Sequence, residues 1–182
     1  MISGYPARPS VHFAIAHEFD VPLDALELAV ISPDLVEKFS ATAHHQGAGI
    51  EKVTERSRSL ENGVLERVWY YQAHVRLPKF ARSYVTPEMT AWDEQSVYEM
   101  SKHRGRWMVV PHVKPEWRQY FSAAGTYTIE PLRDGRSRRV VEGDIDLRVP
   151  VVRQVAERLM LGEVKKAFES EATTLRDMAT LT

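Results

Sequence analysis

The sequence contains no cysteine. That excludes disulfides, thiolate metal centres, iron–sulfur clusters and a cysteine nucleophile, and it removes any reason to assign an oxidising compartment. No stretch approaches the roughly 18 apolar residues that span a bilayer. Met1–Ser10, with two prolines and one arginine, lacks the apolar core of a signal peptide. A cytoplasmic location is the resulting expectation. An excess of one charge is missing as well: 24 Lys and Arg against 25 Asp and Glu leave a net charge of −1. Nothing therefore draws the chain as a whole to nucleic acid or to an anionic membrane. Also missing are a Gly-x-Ser-x-Gly elbow, a His-Glu-x-x-His pair and a phosphate-binding glycine loop. Gly47-Ala48-Gly49 is too short for the last of these, and no helix start follows it.

What is present is ordinary for a globular chain: 182 residues, 43% hydrophobic and 27% charged. The length suits an irregular arm, residues 1–10, followed by one domain over 11–182. Val11–Val21 alternates, with Val11, Phe13 and Ile15 on one parity, which predicts a strand with one buried face. Leu23–Ile31 has helical spacing. Ser32-Pro33-Asp34 is a helix start signal that carries a second short helix through Leu35, Val36 and Phe39. Ile50–Leu60 and Val64–Val75 flank Asn62-Gly63, a hairpin signal. Further strands are predicted at Met89–Met100, Trp107–Val113, Arg118–Glu130 and Arg136–Val149, the last two joined around Arg133-Asp134-Gly135. After Pro150 the period changes to about four. Val152, Val155, Ala156, Leu159, Met160, Val164, Ala167, Phe168, Leu175 and Met178 form the apolar stripe of a long amphipathic helix, with Gly162 a point where it could bend.

The order is strand, two short helices, six strands, one long helix. A curved antiparallel sheet cannot bury its concave face alone. A helix of about 30 residues, roughly 45 Å long, can lie across it. Curvature leaves a space between them, which suits an apolar ligand.

This order resembles the START/birch-pollen-allergen superfamily, also called SRPBCC or polyketide-cyclase-like, whose α+β helix-grip fold wraps a curved seven-stranded antiparallel sheet around a long C-terminal helix. The resemblance runs from Val11 to about Thr180. It is sharpest from Val21-Pro22 through Ser32-Pro33-Asp34. A second stretch, from Gly125-Thr126-Tyr127 through Glu142-Gly143-Asp144 to Val149-Pro150-Val151-Val152, is similar to an uncharacterised bacterial family within the superfamily. A fainter similarity, to PRELI-type phospholipid-transfer domains, lies in Leu77-Pro78-Lys79-Phe80-Ala81-Arg82 leading to Trp92 and Ser96-Val97-Tyr98. The resemblance implies a pocket for a lipid, sterol, polyketide or other hydrophobic molecule. Most members bind or carry, and a minority catalyse cyclisation or dehydration.

Strand parity selects the side chains that would face such a pocket: Arg67, Trp69 and Tyr71; Trp92 and Tyr98; Trp107; Phe121, Ala123 and Tyr127; and from the helix Met160, Val164 and Phe168. Ala123 and Gly125 leave volume that neighbouring rings fill or a ligand occupies. The tryptophans and tyrosines offer flat surfaces with polar tips, suited to an amphipathic guest. Arg67 and Glu94 break the apolar pattern of their faces. They are costly if buried unpaired, so they pair with each other, meet a ligand head group, or lie at strand ends in solvent.

The leading expectation is a non-catalytic binder or carrier of a small hydrophobic or amphipathic molecule. The alternative is a cyclase or dehydratase using a pocket group, with His74, Glu94 and Tyr98 to inspect. A third reading, an interaction module or sensor, leaves the oligomeric state open. No cofactor or metal is expected. The adjacent His44 and His45 fall in a polar loop, Ala43–Gly49, and on extended chain would point to opposite faces. The basic run Arg133, Arg136, Arg138 and Arg139 reads as a solvated turn, or as a transient membrane contact for a lipid carrier.

Overall fold

The structure, a computed structural model, describes residues 10–45, 49–74, 90–148 and 153–181. Seven strands form one antiparallel sheet: β1 (Val11–Phe19), β2 (Ile50–Glu61), β3 (Val64–Ala73), β4 (Ala91–Glu99), β5 (Arg104–Pro111), β6 (Phe121–Pro131) and β7 (Ser137–Leu147). Their spatial order is β1-β7-β6-β5-β4-β3-β2. The six later strands form a meander, and β1 returns to the far edge against β7. Helices α1 (Leu23–Ile31) and α2 (Leu35–His45) follow β1. A single turn, α3 (Pro115–Arg118), precedes β6, and α4 (Arg153–Thr180) closes the chain. The sheet is curved, and the architecture is the α+β helix-grip arrangement.

Local chemistry explains the element boundaries. Asn62 and Gly63 both take positive φ, 51° and 74°, as a two-residue hairpin between β2 and β3 requires. Asp134 and Gly135 do the same between β6 and β7. Pro111 ends β5 beyond its last pairing with β6 at Met108, where a missing N–H costs no ladder bond. α4 runs through Gly162 as one element.

Four expectations need correction. His44 and His45 do not lie in a loop. They form the exposed last turn of α2, where cationic or polar side chains suit the negative end of the helix dipole. Arg118 does not open β6; it ends α3, because Pro115 starts a helical turn there. β5 begins at Arg104 rather than Trp107. The preceding turn is a short 3-10 segment, Met100–Lys102, closed by His103 at φ 49°. Arg139 does not belong to a solvated turn. It is 3% exposed and points inward from β7.

The core lies on the concave face. Register places Leu65, Arg67, Trp69 and Tyr71 of β3 beside Tyr98, Ser96, Glu94 and Trp92 of β4 respectively. Those in turn face Gly105, Trp107, Val109 and Pro111 of β5. The two short helices cover different parts of this surface. Glu27 of α1 reaches Tyr98 and His103, and Phe39 of α2 stacks on Trp69 at 6.0 Å between ring centres. Along α4, residues Ser170 to Ala172, Thr174, Leu175, Met178 and Ala179 are buried against the rest of the molecule. Leu161, Val164, Ala167 and Phe168, on the same stripe, are only half-buried.

Candidate functional site

The concave face has two ends of different character. At one end lie the β2–β3 and β6–β7 turns, Tyr98, Gly105, Tyr127 and Arg139. This end is packed shut. Tyr127 lies over Gly105, where an added Cβ would fall 2.3 Å from its ring. Its ring stacks on Tyr98 at 5.4 Å and 5°. The Tyr98 hydroxyl donates to Glu27 of α1 at 2.6 Å, and His103 Nδ1 sits 2.9 Å from the same carboxylate oxygen. Burial first, and then the bond to Glu27, raise the Tyr98 pKa far above its ordinary value. Tyr98 is therefore a fixed neutral donor.

Arginines hold this end together. Arg67, 5% exposed, donates from Nε to Ser96 Oγ and from Nη1 to the Val30 carbonyl, both at 3.1 Å, and its guanidinium lies 4.2 Å from the centre of the Trp69 ring. It thus caps the last turn of α1, where free carbonyls need donors. Arg58 donates to the neighbouring Ile31 carbonyl. Arg139 forks onto Glu171 of α4, at 2.8 and 3.2 Å. Burial alone would lower its pKa, but Glu171 outweighs that and raises it. His17 of β1 reaches Glu169 of α4 at 2.8 Å.

The middle of the sheet is filled by one ring. Gly125 of β6 and Gly143 of β7 are directly opposite each other. The Trp107 indole lies on both: a Cβ at either position would come within 2.8 Å of it. Trp107 also approaches Phe13 and Phe168, at 6.0 and 6.2 Å between ring centres. The volume that Ala123 and Gly125 leave is therefore taken by an aromatic side chain. The Trp107 indole nitrogen and the Tyr127 hydroxyl are enclosed, and neither has a hydrogen-bond partner among the described residues.

The other end is different. Trp92, Val109, Phe121, Leu161, Val164 and Phe168 are packed against the core yet keep accessible surface. Trp92 stacks flat on the buried Tyr71 at 5.2 Å and 6°. Between these apolar walls sits Glu94. Its same-face neighbours are Trp69 across β3, Val109 across β5, and Trp92 and Ser96 along β4. It makes no side-chain hydrogen bond or ion pair with any described residue. Burial, and secondarily Glu171, push its pKa up to about 7, against the lowering pull of Arg67 and Arg139. Burial, followed by Glu94 and Glu171, also raises the Tyr71 pKa well above its ordinary value.

The residues selected by strand parity thus divide. Arg67, Tyr98, Trp107, Ala123 and Tyr127 belong to the packed floor and closed end. Trp69 and Tyr71 are buried beside Glu94, and Trp92, Phe121, Val164 and Phe168 border the open end. The side chain of Met160 lies outside the described residues, as does the Leu77–Arg82 stretch. Arg67 and Glu94 do not pair, and Arg67 does not lie in solvent. His74 is exposed. The sequence reading missed Arg139, Glu171 and Glu27 as interior groups. A signal was available: Arg139 shares the parity of Val141 and Ile145, and Glu171 lies on the stripe of Phe168 and Leu175. Among the described residues no three His, Asp or Glu side chains gather as a metal cage, and no helix is long and apolar enough to cross a membrane.

Comparison with known proteins agrees with this architecture. Three solved structures align over nearly their whole length. A Thermus thermophilus protein, TTHA0849, is 13% identical, with TM-score 0.64 over 94% of this chain and 98% of its own. The Zhui aromatase/cyclase from a Streptomyces species is 12% identical, with TM-score 0.63 over 94% of both chains. Norcoclaurine synthase from Thalictrum flavum is 11% identical, with TM-score 0.57 over 95% of both. At these identities the likeness is one of fold. No curated protein matches the sequence. The profile of one family, proteins of unknown function (DUF2505), matches residues 14–178. With nearly all of its length matched and the helix-grip architecture in place, the chain belongs to the DUF2505 family.

Proposed function

We propose that this protein binds a small, largely apolar molecule between the open end of the concave face and α4. The observation that carries this reading is Glu94, a carboxylate with accessible surface and no partner among the described residues, set between Trp69, Trp92 and Val109. A polar group left unsatisfied in an apolar wall is expensive for stability alone. A site of apolar walls with one or two fixed polar groups is the ordinary form of a small-molecule pocket. Two of the fold relatives, an aromatase/cyclase and norcoclaurine synthase, are named as enzymes of small organic molecules, which supports the same class of guest.

A lipid-carrier version has less behind it. The basic hairpin lies at the closed end, and Arg136 and Arg138 are paired with Glu18 and Glu130. A catalytic version has one specific observation in its favour. With its pKa near 7, Glu94 exchanges a proton readily at neutral pH. Of the three groups singled out for acid–base work it alone faces the space, since His74 is exposed and Tyr98 is held by Glu27.

The test is solvent extraction of the purified protein followed by mass spectrometry, together with uptake of the dye anilinonaphthalene sulfonate. A stoichiometric apolar molecule, or saturable dye uptake that Trp92→Ala weakens, is the expected result. The reading is overturned if no guest is extracted and no dye is taken up.

A further inference from the structure

The ligand's polar group can be read from what the site has already spent. Among the described residues, the two cations that act on Glu94 are engaged elsewhere. Arg67 serves Ser96 and the end of α1, and Arg139 serves Glu171. Three neutral donors are committed or sealed: the Tyr98 hydroxyl goes to Glu27, and the Tyr127 hydroxyl and Trp107 indole nitrogen are enclosed. What the described residues offer a guest there is the Glu94 carboxylate beside the half-buried Trp92, with the neutral Tyr71 hydroxyl near it.

We infer that the pocket selects molecules in which a flat or apolar body carries a basic nitrogen, and that Glu94 receives that nitrogen as its ammonium. The inference rests on the proposed pocket and names its guest. An ammonium supplies the direct ion pair and hydrogen bonds that Glu94 lacks among the described residues. The half-buried indole of Trp92, next to Glu94 along β4, attracts the same cation through its π-electrons. A carboxylic acid would instead meet a like charge, with both arginines already occupied. Among the described residues, the charged and titratable groups that act on or feel Glu94 are Arg67 and Tyr71 on β3, Tyr127 on β6, Arg139 on β7 and Glu171 on α4; its cross-strand neighbour on β5 is Val109. With Arg67 and Arg139 balanced by Glu171 and an ionised Glu94, the empty cluster is neutral. A bound ammonium then holds Glu94 ionised, so binding is coupled to loss of a proton from the carboxyl group.

The experiment uses three probes of one skeleton: naphthylethylamine, naphthylethanol and naphthylpropionic acid. Their binding to the intact protein is followed by quenching of tryptophan fluorescence. At pH 8 the amine is expected to bind at least tenfold more tightly than the acid. Its affinity should rise about tenfold between pH 6 and pH 8, as the ionised fraction of Glu94 rises from roughly a tenth to nine-tenths around its pKa of about 7. Folded Glu94→Gln, checked by circular dichroism, should lose both the preference and the pH dependence. The wild-type pH series stands even if that variant does not fold. The inference is overturned if the acid binds as well as the amine, if amine affinity is flat between pH 6 and 8, or if Glu94→Gln binds the amine unchanged. Tight alcohol binding without any dependence on Glu94 would overturn it while leaving the pocket intact. If none of the probes binds and no dye is taken up, both readings fall.

Discussion

Arg139 and Glu171 meet through two parallel hydrogen bonds in the interior, joining the last strand of the sheet to the buried half of α4. Neither group has water to fall back on. Removing one partner strands a charge, which costs about 3–5 kcal/mol, whereas replacing both with apolar side chains of similar volume is close to neutral. Glu171→Ala should therefore shift the urea midpoint sharply downward. The double variant Arg139→Met, Glu171→Leu should recover most of that loss in the same measurement.

Trp107 lies on Gly125 and Gly143, and this seat has no room for a methyl group. Gly143→Ala forces the indole to tilt or the strands to part. Overpacking of this kind costs about 1–3 kcal/mol. Denaturant unfolding should show that loss, and near-ultraviolet circular dichroism should show a changed tryptophan signal.

Glu94 has a folded pKa of about 7, above the ordinary carboxylate value. The native state thus holds a proton that the unfolded chain has released, and the sign follows. The Glu94 contribution is neutral below about pH 4, turns destabilising as pH rises from there to about 7, and is level above that. Glu94→Gln should match the wild type near pH 4 and exceed it at pH 8. The gain is on the order of 2 kcal/mol, reduced from the full shift because solvent reaches the carboxylate. Thermal melts at the two pH values check this.

Glu27 is buried between Tyr98 and His103. Tyr98→Phe removes the shorter of its two bonds and leaves the carboxylate with a half-exposed histidine. A loss of about 1.5–3 kcal/mol is expected for a hydrogen bond to a charged group. Chemical denaturation of the variant measures it.

The architecture was largely legible from the sequence because it rests on periodicity. α1 falls at Leu23–Ile31 as its spacing predicts, the Asn62-Gly63 turn sits where its chemistry requires, and the change of period after Pro150 marks α4. Strand parity also placed Trp69, Tyr71, Trp92 and Trp107 on one face. What parity could not reveal is how polar groups on that face divide their partners. Arg67 turns to the end of α1, a contact set by how the helix docks. Arg139 sits beside Arg138 in sequence yet on the opposite face, so a cluster of like charges hid one interior residue among exposed ones. Glu94 stood out as an exception to its pattern, but its isolation depends on which neighbours were already engaged.

α4 is buried along its C-terminal half, while its side chains from Leu161 to Phe168 are only partly covered. On the proposed reading, a guest would then lie between a wall fixed by strand pairing and side chains of the helix that keep accessible surface. Discrimination between guests would fall to the chemistry on the strands.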